Sequence, residues 1–150
     1  SVWSWGSRVA VLLPDGLELA SGPPPVLGEL GRYLWEPDPA VIRAGAVGRL
    51  AEFLDARSIQ PGIAYLTGDA AMTTGFATGF EVLEVLTFDE RTLRAWVREH
   101  GIGILEIKVR GLDVDPAVLR RRLKPSGAGS ATVVLTPTPA GARALVVRRL

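Results

Sequence analysis

The chain has 150 residues, is 47% apolar, and carries 17 Lys/Arg against 16 Asp/Glu, for a formal net charge of +1. That length supports one domain with its own core and is short for two ordinary ones. The absence of Cys excludes thiol catalysis, zinc fingers, iron–sulfur sites and disulfide frameworks.

The chain opens SVWSWGSRVAVLL without an initiator Met, as a piece cut from a longer protein would. No apolar run approaches the ~18–20 residues that span a bilayer, so no membrane partner is expected. The lack of Cys accords with a cytoplasmic location. Arg8–Leu13 and Leu17–Ala20 flank Pro14-Asp15-Gly16, which predicts a β-hairpin, because Gly accepts the positive φ of such a turn. The following SGPPPVLGELG reads as a linker stiffened by three consecutive prolines. Residues 1–31 are therefore expected to form a leading hairpin and linker, with the main domain at 32–150.

Asp38-Pro39 predicts a helix start, since Asp caps orphan N–H groups and Pro surrenders a donor that has no partner there. Ile42, Ala46, Val47, Leu50, Phe53 and Leu54 form the expected apolar stripe of that one helix. Gly45 and Gly48 weaken it by about 1 kcal/mol each relative to Ala, which hints at the close approach of another backbone. A short strand is expected at Ile63–Leu66, a loop at Ala70–Gly75, and a long strand at Phe76–Thr87. The near-continuous apolar run of that long strand predicts burial on both faces.

Asp89 is the expected cap of a second helix, with Phe88 stapled to Leu93. Leu93, Trp96, Val97 and His100 should form its inner face, and Gly101 its end. Ile104–Arg110 alternates, with Leu105, Ile107 and Val109 to one side and Glu106, Lys108 and Arg110 to the other. Asp115-Pro116 starts a third helix anchored by Leu119 and Leu123. Two final strands, Ser130–Thr136 and Ala142–Arg148, make an antiparallel pair. The fold class expected is α+β: a mixed sheet with three helices, preceded by a hairpin.

Few residues suggest catalysis. His100 is the sole His, so neither a Ser-His-Asp set nor a two-His metal site can be built. Its place at a helix end is explained by the helix dipole. Glu81 and Glu84 point to opposite faces of a strand, and of the pair Asp113 and Asp115 the second serves as a cap. No catalytic, cofactor or metal residue is expected.

Charge is more informative. Residues 101–150 hold nine Lys/Arg against three Asp/Glu, while residues 1–100 hold eight against thirteen. The near-neutral total thus conceals halves of opposite sign, and a clustered basic surface points to a polyanion. Lys108 and Arg110 on a strand, with Arg120, Arg121, Arg122 and Lys124 on the following helix, are the candidate phosphate contacts. Arg143, Arg148 and Arg149 are secondary candidates. No paired aromatic platform accompanies them, so recognition would be by charge and shape.

The blocks GRYLWEPDPAVIRAG, IAYLTGD, FEVLEVLTFDERTLRAWVREHGIGILEIKVRGLDVDPAVLRRRL, ATVVLT and ALVVRR resemble the THUMP-like C-terminal region of actinobacterial S-adenosylmethionine-dependent methyltransferases. The resemblance spans residues 32–150 and is densest over 80–123. It implies a trimethylguanosine synthase-like methyltransferase domain ahead of this region, with S-adenosylmethionine bound there. It further implies that this region is a non-catalytic accessory part that positions RNA, tRNA among the candidates, as THUMP domains do. The Gly-rich cofactor loop and the Asn/Asp-Pro-Pro-Tyr motif of those enzymes are absent here, so no catalytic residue carries over. The alternative is a docking or dimerisation module without RNA contact. It would bind the methyltransferase domain of the same chain, or a second copy in a homo-oligomer.

Overall fold

The structure is a computed structural model. It describes residues 19–150 in full and, before them, the backbone alone at 3–4, 7–12 and 18. Strands β1 (Trp3–Ser4), β2 (Ser7–Leu12) and β3 (Glu18–Ala20) form a three-stranded antiparallel sheet. The predicted pairing of β2 with β3 is present, while the turn at Pro14-Asp15-Gly16 lies outside the described residues.

The rest of the chain is built from β4 (Tyr33–Pro37), α1 (Pro39–Arg43), α2 (Val47–Leu54), β5 (Arg57–Ser58), β6 (Leu66–Gly68), β7 (Ala77–Thr87), α3 (Glu90–Glu99), β8 (Ile102–Val109), α4 (Pro116–Leu123), β9 (Gly129–Thr138) and β10 (Gly141–Arg149). Seven strands make one mixed sheet in the order β5-β6-β4-β7-β10-β9-β8. The β8–β9 pair is parallel and β9–β10 antiparallel, while β4 runs antiparallel to both its neighbours. The class is α+β, as the sequence predicts, with four helices in place of three.

The chain divides into two compact units, residues 1–81 with 149–150, and residues 82–148. In the first, the expected single helix is two. Asp38 Oδ1 accepts from Ala40 N at 2.9 Å and Pro39 opens α1, but Gly45 adopts φ +68° and interrupts the ladder before α2. The interruption resets the helical phase. Val41, Ala46, Leu50, Ala51 and Leu54 are buried with Trp35 and Leu66, whereas Ile42 and Phe53 of the predicted stripe are 45% and 57% exposed.

The Pro-rich stretch is not a free linker. Gly22 N donates to Gly45 O at 3.1 Å, and Ser58 N donates to Val26 O at 2.8 Å. Arg57 Nε donates to Glu29 O at 2.8 Å. Pro23 O packs so tightly on α2 that a Cβ at Gly48 would collide with it. This is the close backbone approach that Gly48 implies. The stretch is a strap on α2 and β5, and Leu19 of β3 packs on the same core. The strand expected at Ile63–Leu66 lies later, at Leu66–Gly68: Ile63 N closes a turn on Gln60 O at 3.2 Å, with Gly62 at φ +79°, and ladder pairing begins at Leu66.

In the second unit, α3 and α4 cover one face of β8, β9 and β10. Leu93, Trp96, Val97, Leu119 and Leu123 of the helices meet Leu105, Ile107, Val133, Leu135, Ala144 and Val146 of the strands. Register explains the selection: Ile107 lies beside Val133 and Val133 beside Val146, so these side chains share a face. Two expectations change. β7 sits mid-sheet but Leu83 and Val85 are 55% and 49% exposed, because the helix layer packs only on the face carrying Leu86. His100 is exposed at the end of α3 rather than part of its inner face, its ring stacked on Trp96 at 4.5 Å. Among the described residues no helix is long and apolar enough to cross a membrane.

Candidate functional site

Two arginines of the helix layer, Arg94 and Arg122, meet on one carboxylate, that of Glu90. Asp89 caps α3 by accepting from Thr92 N at 3.1 Å and Thr92 Oγ1 at 2.8 Å, and these bonds hold its carboxyl below the usual range. Asp115 caps α4 by accepting from Ala117 N at 2.9 Å. With both helices started this way, Arg94 on α3 reaches α4, and its Nε donates to Arg122 O at 3.0 Å. Glu90 binds both guanidinium groups, Arg94 Nη2 at 3.3 Å and Arg122 Nη1 at 3.6 Å.

Arg91, Arg94 and Arg98 stand three and four residues apart, which places them along one flank of α3. Leu93, Trp96 and Val97 turn the opposite way into the core. Beside this row Arg121 and Arg122 project from α4, both exposed. The sequence reading missed the α3 row, although its i, i+3, i+7 spacing signals it. What the sequence did not show is that this flank faces α4.

The six predicted cations do not share one surface. Leu105 and Ile107 point into the helix layer, so Lys108 lies on the opposite face of β8 by simple alternation. Arg110 follows β8, where its N donates to Leu135 O at 3.0 Å and its Nη1 to Val109 O at 2.9 Å. Arg120 turns to the outer edge of the sheet, where its Nε donates to Leu105 O of the edge strand at 3.0 Å. Lys124 ends α4 with φ +53° and is exposed. Only Arg121, Arg122 and Lys124 remain on the outer side of the helix layer. The physical reason is that a strand alternates every residue while a helix turns about 100° per residue, so proximity in sequence does not become proximity on a surface.

Of the secondary candidates, Arg143 clamps the β9–β10 turn by donating to Ala140 O and Ala142 O, each at 2.8 Å. Arg149 lies 5.9 Å from the centre of the Phe80 ring. Arg148 is exposed. The carboxylates are also committed: Glu81 pairs with Arg32 at 3.5 Å, and Glu84 accepts from Trp96 Nε1 at 2.8 Å. No group of three or more His, Asp or Glu among the described residues could hold a metal.

A nucleotide-type cofactor loop would need glycines between a strand and the helix it opens. Here Gly127–Gly129 instead lies between α4 and β9, packed on Gly101 and Gly103. These residues do not suit S-adenosylmethionine.

The comparisons with known proteins agree with this architecture. A crystal structure from Porphyromonas gingivalis W83, of a protein assigned as a methyltransferase, superposes with a TM-score of 0.75. At 22% identity the match shows the fold; it covers 95% of this chain and 37% of that one. The class is thus an α+β unit of the kind found within a larger protein. Residues 77–149 match the family described as THUMP domain-like. Two uncharacterized S-adenosylmethionine-dependent methyltransferases of Mycobacterium tuberculosis, from strains CDC 1551 / Oshkosh and ATCC 25618 / H37Rv, are each 38% identical over 148 residues. The alignment takes in 93% of this chain but 41% of each relative, so the chain spans well under half of their length. The family match begins at residue 77, close to where the second compact unit begins.

Proposed function

We propose that this chain is the non-catalytic accessory region of an S-adenosylmethionine-dependent methyltransferase, and that the outer surface of α3 and α4 holds the phosphates of its RNA substrate. The observation that carries the reading is the junction of Arg94 and Arg122 on Glu90, which joins the arginines of two helices into one cationic surface. Arg91, Arg98, Arg121 and Lys124 extend it. On this reading methyl transfer and cofactor binding lie outside these 150 residues. The residues proposed to hold phosphate are therefore Arg91, Arg94, Arg98, Arg121, Arg122 and Lys124.

Binding of this kind is driven by counterion release, so log affinity falls with log salt by roughly 0.7–0.9 per phosphate contacted. The test is titration of the full chain with tRNA, and with unstructured RNA, across a salt series. Reversing Arg91, Arg94 and Arg98 to Glu should weaken binding steeply and flatten the slope by about one unit per residue. Lys108→Glu, on the other face of the sheet, should leave the slope intact. Salt-independent binding, or equal loss from Lys108→Glu, would contradict the assignment.

A further inference from the structure

A groove of about 390 Å³ opens beside the Arg94–Arg122 junction, within the roughly 300–1,000 Å³ typical of small-ligand sites. Its floor is apolar. Phe88 comes from the turn before α3, Val114 from the loop after β8, and Val118 and Leu119 from α4. Glu90, Asp113, Asp115 and Arg122 stand at the polar positions of its lining. Asp115 is occupied as the α4 cap and Glu90 by two guanidinium groups. Asp113 is exposed and makes no hydrogen bond or ion pair among the described residues.

This lining selects its occupant by charge. Carboxylates repel a phosphate, so an anionic ligand must keep its charge on the neighbouring arginines. What enters the groove must be neutral, broad enough to cover an apolar floor, and supplied with N–H donors for Asp113. An unstacked nucleobase meets all three conditions while its own phosphate rests at Arg122 and Arg94. Unpaired bases are recognised in this manner, packed on an aromatic ring and hydrogen-bonded along the Watson–Crick edge. Among bases, guanine presents N1–H and N2–H side by side, matching the two oxygens of one carboxylate, whereas uracil offers a single N–H.

Resting on the phosphate-holding role of α3 and α4, we infer that the groove receives one unpaired base of the bound RNA, guanine in preference to uracil, with Asp113 accepting from its N–H edge. Arg122 then serves both functions, since it lines the groove and belongs to the cationic surface.

The test has two arms on the full chain. In the first, methyl NMR signals of Val114, Val118 and Leu119 are followed during addition of guanosine, inosine and uridine 5′-monophosphates. Guanosine monophosphate should shift them most, inosine monophosphate less because it lacks the 2-amino group, and uridine monophosphate least. In the second, uridine octamers carrying one central guanosine, one inosine or neither are titrated. The guanosine octamer should bind about tenfold more tightly than the all-uridine one, the discrimination expected of a bidentate base contact. Asp113→Asn should erase that preference and leave the salt slope unchanged. Equal affinity for the three octamers with salt dependence retained overturns the base site alone and leaves the phosphate-holding role standing. Unmoved methyl signals, or a preference that survives Asp113→Asn, overturn it as well. Failure of every octamer and of tRNA to bind overturns the phosphate-holding role and the base site together.

Discussion

Arg94 on α3 donates from Nε to the main-chain oxygen of Arg122 on α4, 3.0 Å away and 28 residues later. The bond satisfies one of the last carbonyls of α4, which has no partner within its own helix. It also orients a guanidinium group whose Nη2 meets Glu90. The geometry is specific to arginine, since a lysine ammonium cannot serve a carbonyl and a carboxylate through one planar fork.

Arg94→Lys should therefore separate structure from charge. The cation remains, so the slope of RNA affinity against salt should be unchanged. The lost hydrogen bond should cost about 0.5–1.5 kcal/mol in denaturant unfolding. The ion pair with Glu90, partly exposed, adds little to that. A collapse of the salt slope in this variant would mean that the guanidinium itself, and not its charge, meets the RNA.

Gly48 offers a test of the strap. In an ordinary helix interior Gly→Ala stabilises by up to about 1 kcal/mol. At Gly48 the added Cβ would collide with the carbonyl oxygen of Pro23, and a backbone cannot swing aside as a side-chain tip does. Gly48→Ala should therefore destabilise by about 1–3 kcal/mol, the range for overpacking. Thermal unfolding checks the sign, and an increase in stability would show that the Pro-rich strap does not hold α2.

These contacts mark where the sequence was legible. Three of the four helix starts could be read, because Asp38, Asp89 and Asp115 are caps whose partners lie two or three residues away. The alternation of β8 was equally plain, since period-two patterning is local. Not legible was which face of β8 would receive α4, and that choice alone decides that Lys108 and Arg122 part company. The break at Gly45 was hidden for a related reason. A glycine in a helical pattern costs little if helical, and only its φ of +68° reveals a stop. The arginine pair and the docked strap both join segments far apart in sequence, where no spacing rule applies.

Trp96 shows how a large core side chain can be fixed at its polar end. Its ring packs among the buried residues of α3 and α4, while Nε1 donates to Glu84 Oε2 of β7 at 2.8 Å. Trp96→Phe keeps an aromatic ring in the core and removes that donor. The expected loss is about 1 kcal/mol from the hydrogen bond, plus the smaller ring's lost packing. Glu84→Gln retains an acceptor and should cost less than the Trp96 change. Equal losses from the two would place the energy in the charge rather than in the bond.

Asp89 supplies the pH-dependent prediction. The two bonds from Thr92 favour the ionised carboxylate, so the folded-state pKa lies below the ordinary aspartate value. A group depressed in this way stabilises the fold fully above its unfolded pKa. That contribution is lost as pH falls through the folded value, because the protonated acid accepts less well. Asn is an equally good helix cap but does not titrate. Asp89→Asn should therefore match the parent closely near neutrality and fall less steeply in stability once the pH drops below the ordinary carboxylate range. Measuring denaturant midpoints for both proteins from neutral to strongly acid conditions resolves this. Parallel curves throughout would show that the Thr92 bonds do not depend on the charge of Asp89.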